Sequence, residues 1–485
     1  MVGAVSGHGE RAPEANLGLL DATMIGMGAM IGAGIFVLTG LAAEIAGPAA
    51  ILVFMLNGVV TAFTGLSYAE LAASIPKSGG GYAFVREVFD DLPSFVMGWM
   101  LWFAYMIAGG LYALGFAPNF LELLHVYDVT PAPDQVGAIA LPFVDVGVPA
   151  AVALAFVAVL GLVALNALST AASGSVETIF TLVKVSILVV FVAFGATSPM
   201  FTSAEFQPLF PGDAGPLSIL PAMGLTFIAF EGYDLITTVT EEVKNPRENI
   251  PKAIFVSLAV TVVVYLAVVG VAIGTLGADG LAEAGEAGIA QAATEFMPTG
   301  LPIIQNGGAI IVFGAVFSTL TALNAVVIAS SRVAFSMGRE EQLLPSFGQL
   351  HHRYGTPFVA ILASGVVMLG SVALPTQSAG NMSSLFFLLS FIVVNGSVIK
   401  LRRERPDMNR PYEMPYYPIP PILGIGLNLI LTGVLVRYLL RTDVLALGLS
   451  VGWILLGVVA YGAYTRLRSS DETEAADPTD ETTPQ

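Results

Sequence analysis

Twelve stretches of apolar sequence, each about as long as a bilayer is thick, constrain this chain more than anything else in it. A helix rises ~1.5 Å per residue, so about 20 mostly apolar residues cross ~30 Å of hydrocarbon. The stretches are roughly 18–46, 50–74, 93–124, 146–168, 176–197, 216–240, 253–277, 303–337, 357–374, 381–399, 418–438 and 443–465. Only 11% of the 485 residues are charged, against about 25% in a soluble domain. The expected fold class is an all-α membrane protein with 12 transmembrane helices. The third and eighth stretches exceed 30 residues and are expected to tilt or to run past the bilayer.

The bases are segregated. All of the 19 Lys and Arg except Lys184, Arg437 and Arg441 fall at the two ends, in the 2–3, 6–7, 8–9 and 10–11 connections or, for Arg332, in the last turns of the run leading into the 8–9 connection. By the positive-inside rule both termini are cytoplasmic, as expected for an even number of crossings in a multi-pass protein of the cell membrane. Residues 1–16 are polar, with no cleavage site behind the first apolar run, so no cleaved signal peptide is expected. Residues 466–485 carry six acids and no aromatic, and both ends are expected to be disordered. The opposite loops are acidic (Asp128, Asp134, Asp145, Glu205, Asp213, Asp279, Glu283, Glu286, Glu295), which fits either an ordinary solvated surface or a halophilic one.

A net charge of −17 argues against a nucleic-acid partner. The absence of cysteine excludes disulfides and thiolate chemistry, and four histidines (His8, His125, His351, His352) supply metal binding poorly. No metal site, catalytic residue or cofactor is expected.

Two of the apolar runs are interrupted. The first carries four glycines in Gly26–Gly34, and the Gly32-Ala33-Gly34 cluster suits an unwound turn better than close helix packing alone. The sixth holds Phe230-Glu231-Gly232-Tyr233-Asp234 near its middle. Backbone unwinds at bilayer depth only where it is buried or lines a cavity. Matching interruptions in two halves of a membrane chain point to a transport site. Spans 1–5 and 6–10 would be those halves, with 11 and 12 as additions. Amides at one broken end suit a carboxylate and carbonyls at the other suit an ammonium, so one small zwitterion, such as an α-amino acid, satisfies both.

The residues Gly28–Gly40 (GAMIGAGIFVLTG) resemble the first helix of the amino acid–polyamine–organocation transporter superfamily. Tyr68-Ala69-Glu70-Leu71 with Ile75–Tyr82, Glu241–Pro246 with Ile250-Pro251, and Ser331-Arg332 with Met337–Arg339 and Leu344-Pro345 are similar to its later motifs, in order. The nearest resemblance is to bacterial and archaeal members near the cationic amino-acid transporter group. It implies a LeuT-like fold: a 5+5 inverted repeat plus two C-terminal helices, working by alternating access. The transporter core would be 17–400, with repeats at about 17–200 and 214–400, and 401–465 would hold helices 11 and 12. An amino-acid carboxylate would sit at Ile31, Gly32, Ala33 and Gly34, and its amine at carbonyls near Phe227, Ala229 and Phe230. Tyr105, Phe227, Ile228 and Phe230 are candidate gates. The chain departs from the cationic group at two places: Ala104 stands where that group carries an acid, and Glu231 where it carries an apolar residue. Arginine or lysine is therefore not assumed as substrate.

Among the charges inside apolar runs, Lys184, Glu231 and Asp234 stand out. Lys184 lies too deep in the fifth for an unassisted side chain to reach the interface. Relatives with a lysine here use it in place of a sodium ion, so a proton on Lys184 would be the coupled ion, with a permanent structural pin as the rival reading. Glu231 is a buried protonated carboxyl, a counter-charge for a substrate cation, or a second protonatable group, and Asp234 shares that role. Ser318 and Thr319 are expected to partner Lys184. The functions considered are a proton-coupled amino-acid symporter, an exchanger or polyamine/organic-cation carrier, and a nutrient receptor on the same fold. Oligomeric state stays open. No pore motif, phosphate loop or nucleophile–base pair supports a channel or an enzyme.

Overall fold

The computed structural model describes residues 15–131, 136, 139–141, 144–168, 174–210, 212–297 and 307–475. Its elements are helical except for one short antiparallel pair, β1 (Ile139–Leu141) and β2 (Val144–Val148). This hairpin lies in a loop where no strand was expected. The helices are α1 (Leu19–Met30), α2 (Ala33–Ala46), α3 (Ala50–Ser74), α4 (Gly80–Val88), α5 (Asp91–Val126), α6 (Ala150–Leu168), α7 (Gly174–Ala196) and α8 (Ile219–Thr226). They continue with α9 (Pro246–Ala284), α10 (Gly288–Phe296), α11 (Gly307–Arg339), α12 (Phe358–Ser371), α13 (Thr376–Glu404), α14 (Ile419–Thr442) and α15 (Val444–Ala475).

Among the described residues, ten helical segments are long and apolar enough to cross a membrane. The first of them, Leu19–Ser74, contains two of the expected runs, and a further run forms the shorter apolar helix α12. The two long runs are single long helices, α5 with 36 residues and α11 with 33. Apolar side chains face outward on the peripheral helices, Val157, Leu160 and Leu165 on α6 and Leu455 and Val459 on α15 being more than half exposed. In water that surface would be unfavourable; facing acyl chains it is not. The middle is packed by α5 against α11 and α13, and by α1, α2 and α3 against α9. The C-terminal tail differs from expectation: α15 stays helical through Ala475, because Arg466, Leu467, Arg468, Glu472, Glu474 and Ala475 are good helix formers that extend an existing helix. Residues 1–14 and 476–485 lie outside the described residues.

Candidate functional site

Both interruptions are present, and they lie side by side. The first separates α1 from α2 at Ile31–Gly32. The break thus falls just before Ala33-Gly34, which already belong to helix. Gly34 is needed for contact rather than for unwinding: a Cβ there would stand 2.5 Å from the Cβ of Ala229. The second break follows α8 through a 3-10 turn over Phe227–Phe230, opens at Glu231–Tyr233, and resumes as 3-10 turns over Asp234–Glu242. Gly232 has φ +138°, and a Cβ on it would lie 2.6 Å from the Met30 amide nitrogen. Two glycines therefore let the broken backbones touch.

The polar groups at the first break divide into used and unused sets. The Ile31 amide donates to Met27 O at 2.8 Å and so remains part of α1. The start of α2 at Ala33 has no side-chain cap, and the first amides of a helix have no partner within it. Gly32 and Gly34 belong to that start, whereas Ile31 does not offer its amide; the side chain of Ala33 lies outside the described residues. On α11, Ser318 donates to the Ile31 carbonyl and lies 3.3 Å from Gly32 O.

At the second break Ile228 is spoken for: its amide donates to Ser384 Oγ at 3.1 Å and its carbonyl accepts from the Glu231 amide at 3.1 Å. Ala229 O accepts from the Tyr265 hydroxyl at 2.9 Å. Phe227 and Phe230 are fully buried, Phe230 packing on Tyr265 at 5.3 Å and Phe227 on Phe391 at 6.1 Å between ring centroids. The two acids differ sharply. Asp234 accepts from the Gly232 amide at 2.8 Å and from the Tyr105 hydroxyl on α5. Glu231 is 3% exposed, and neither of its carboxyl oxygens has a hydrogen-bond partner among the described residues. Asn57 on α3 braces α8, donating to Met223 O at 2.9 Å and Thr226 Oγ1 at 3.0 Å.

Lys184 on α7 is 1% exposed and donates to Gly28 O at 2.6 Å, one turn before the first break, and to Thr321 Oγ1 at 3.1 Å. Thr321, rather than the expected Ser318 and Thr319, supplies the α11 hydroxyl seen on the ammonium. Ser318 turns to the Ile31–Gly32 carbonyls, and Thr319 bonds back to Ala315 O at 2.7 Å within its own helix. Tyr265 was also missed in the sequence. A lone tyrosine among valines and leucines looks like packing, and nothing local marks its contact with Met30, 235 positions away.

At the start of α5 and the end of α11, on the side holding most of the bases, a cavity of about 760 Å³ is lined by Lys77, Ser78, Tyr82, Glu87, Glu241 and Arg339 among others. Glu87, in its lining, pairs with Lys77 and Arg405, each at 2.8 Å. Hydrogen bonds from Arg405, then Lys77, hold the Glu87 carboxyl below its ordinary value.

Residues 17–460 match the amino acid permease family. A branched-chain amino acid permease of Bacillus subtilis (strain 168) is 31% identical over 474 residues, covering 95% of this chain and 95% of that one. A methylthioribose transporter of the same organism is 29% identical over 463 residues, covering 93% and 94%. Its serine/threonine exchanger is 26% identical over 462 residues, covering 94% and 98%.

Proposed function

The chain belongs to the amino acid permease family, a family of membrane transporters and not of enzymes, and on that premise we propose that it carries a zwitterionic amino acid across the cell membrane by proton-coupled symport. The carrier crosses the membrane twelve times with both termini cytoplasmic. Residues 17–400 form two inverted repeats, about 17–200 and 214–400, that rock around a central site, and 401–465 form the two added helices. The substrate carboxylate docks at the uncapped start of α2, at Gly32, Ala33 and Gly34. The amine docks at the carbonyls of Phe227, Ala229 and Phe230.

The single observation that supports proton coupling best is the position of Lys184, buried and donating at 2.6 Å to the carbonyl of Gly28 one turn from the break. A lysine there fills with a covalently held cation the kind of place a free ion would take. An ammonium has three N–H donors and a neutral amine two, so releasing the proton loosens the tie between α7, α1 and α11. Proton loss from Lys184 and the movement of α1 that opens the inward side then favour each other, so proton and substrate leave together. Glu231 supports a second role at the same site: a buried carboxyl at the break with no hydrogen-bond partner among the described residues is a ready counter-charge for a cation on the substrate.

The test is uptake by the purified chain in proteoliposomes, with a labelled amino-acid panel, with and without an inward proton gradient. Wild type is expected to accumulate substrate only with the gradient, and Lys184→Ala to lose that dependence. Uptake that requires Na⁺, with Lys184→Ala unaffected, would show the coupling assignment to be wrong.

A further inference from the structure

Thr226, Thr275 and Thr319 each turn their hydroxyl back on their own helix, donating to the carbonyl four residues earlier at 2.7, 2.8 and 2.7 Å. Thr61 on α3 and Thr432 on α14 do not. Their hydroxyl oxygens are buried and have no hydrogen-bond partner among the described residues. Two amide oxygens on the same two helices share that condition, Oδ1 of Asn57 and Oδ1 of Asn428. All four belong to one seam. Asn57, Thr61 and Thr64 stand at i, i+4 and i+7 along one face of α3, and Asn428, Thr432 and Leu435 at the same spacing along one face of α14. At one end the faces are bonded, Asn428 Nδ2 donating to Thr64 Oγ1 at 3.2 Å. At the other end α8 bridges them: Asn57 donates to Met223 O at 2.9 Å, and a Cβ on the neighbouring Gly224 would stand 3.1 Å from the Leu435 side chain. Thr61 and Thr432 therefore come opposite each other in the middle, between the two asparagines.

The chemistry of the four oxygens specifies what joins them. An amide oxygen only accepts, and a hydroxyl that does not bond its own helix has a proton to give. Two acceptors and two donors are the complement of one water molecule, which gives two protons and takes two. An alkali cation fits worse. It would turn lone pairs of all four oxygens inward and send both hydroxyl protons back to their own helices, where neither bonds. We propose that α3 and α14 hold a single water molecule between Asn57, Thr61, Asn428 and Thr432, as a built part of the fold. It donates to the two amide oxygens and accepts from the two hydroxyls. Ordered water satisfies buried polar groups in this way where no protein partner reaches them. The site also sets what α14 is tied to. Asn57 donates to Thr226 Oγ1 on α8 at 3.0 Å, so the water puts α14 in one bonded set with the helix that leads into the second break. The inference needs nothing of substrate or of coupling.

The experiment is hydroxyl-radical footprinting of the full chain in detergent, with the radicals made by an X-ray pulse, so that a bound water labels the side chains beside it. Leu435 is fully buried and one turn from Thr432, and it is expected to take label in wild type. Leu101, equally buried on α5, is expected to take none. A wild type in which Leu435 stays as unlabelled as Leu101 would overturn the proposal, whatever the variants do. Thr61→Val and Thr432→Val keep the shape and remove one donor each. Each is expected to lose the Leu435 label and to melt below wild type. The double variant should melt no lower than the worse single, because both singles break the same site. Single variants that melt at or above wild type, or losses that simply add, would overturn the shared water. The melts are run in choline, sodium and potassium chloride at equal ionic strength, where no difference is expected. A wild type stabilised by Na⁺ or K⁺, with a double variant indifferent to both, would give the seam to a cation and overturn the proposal.

Discussion

Gly232→Ala is the most direct test of the two-break geometry. The residue holds φ +138°, a region open in practice to glycine, and an alanine forced there is strained by about 1–3 kcal/mol. The new methyl would also lie 2.6 Å from the Met30 nitrogen and 2.8 Å from the Ala29 Cβ. One of these neighbours is backbone at the end of α1, which cannot rotate away, so overpacking adds about 1–3 kcal/mol. The sum is roughly 2–6 kcal/mol, enough to push α1 away from the second break. Gly396 is the control: it lies inside α13 with nothing within 4 Å of a Cβ. Alanine at that position should stabilise by about 0.4–1 kcal/mol, through helix propensity and a less flexible unfolded chain. The assays are a thermal melt of the detergent-solubilised protein and proteoliposome uptake. Gly232→Ala should melt well below wild type and lose uptake, while Gly396→Ala should melt at or above wild type and transport normally. A Gly232→Ala protein that melts and transports like wild type would refute the reasoning.

Three further outcomes follow from particular side chains. Glu231→Gln should leave the melt unchanged, since neither carboxyl oxygen has a hydrogen-bond partner among the described residues, and should reduce uptake of cationic substrates more than neutral ones; equal losses in competition uptake assays would count against a counter-charge. Glu70→Ala should destabilise by roughly 2–4 kcal/mol, because it strips Arg402 of contacts at 2.6 and 2.7 Å and the Met414 amide of one at 2.8 Å. Substrate affinity should survive in the folded fraction; an unchanged melt would contradict the pairing. Glu87 has a folded-state pKa depressed by Arg405 and Lys77. Its contribution is therefore present above the ordinary carboxylate value and lost as pH falls through the depressed one. Hydrogen exchange of the α4 amides, corrected for intrinsic rate, should accelerate on that acid side, and protection that is flat or rising there would exclude the tie.

The breaks were legible because glycine clusters and paired acids are anomalous in a bilayer-length run. Gly32 and Glu231–Asp234 marked both to within a residue or two. Lys184 stood out for the same reason, as a charge with no local excuse. What the residues did not reveal was rotation. Ser318, Thr319 and Thr321 all lie in one turn of α11, and only the helix's orientation aims Thr321 at the ammonium and Ser318 at the Ile31 carbonyl. The availability of amides was hidden too, since whether Ile31 ends α1 or opens α2 depends on a hydrogen bond to Met27.

The sequence by itself determined that this chain is a multi-span membrane protein and where two of its helices break, because the bilayer imposes a length and a polarity rule on each segment separately. Only the tertiary structure decided which groups share the space between the breaks. Gly34 meets Ala229, Gly232 meets Met30, and Tyr265 reaches both carbonyls across 235 and 36 positions of chain. Those contacts are set by how helices stack and turn against one another. In an apolar run a tyrosine that packs and a tyrosine that bridges are spelled alike; the partner oxygens come from other helices, and only their arrival makes the difference.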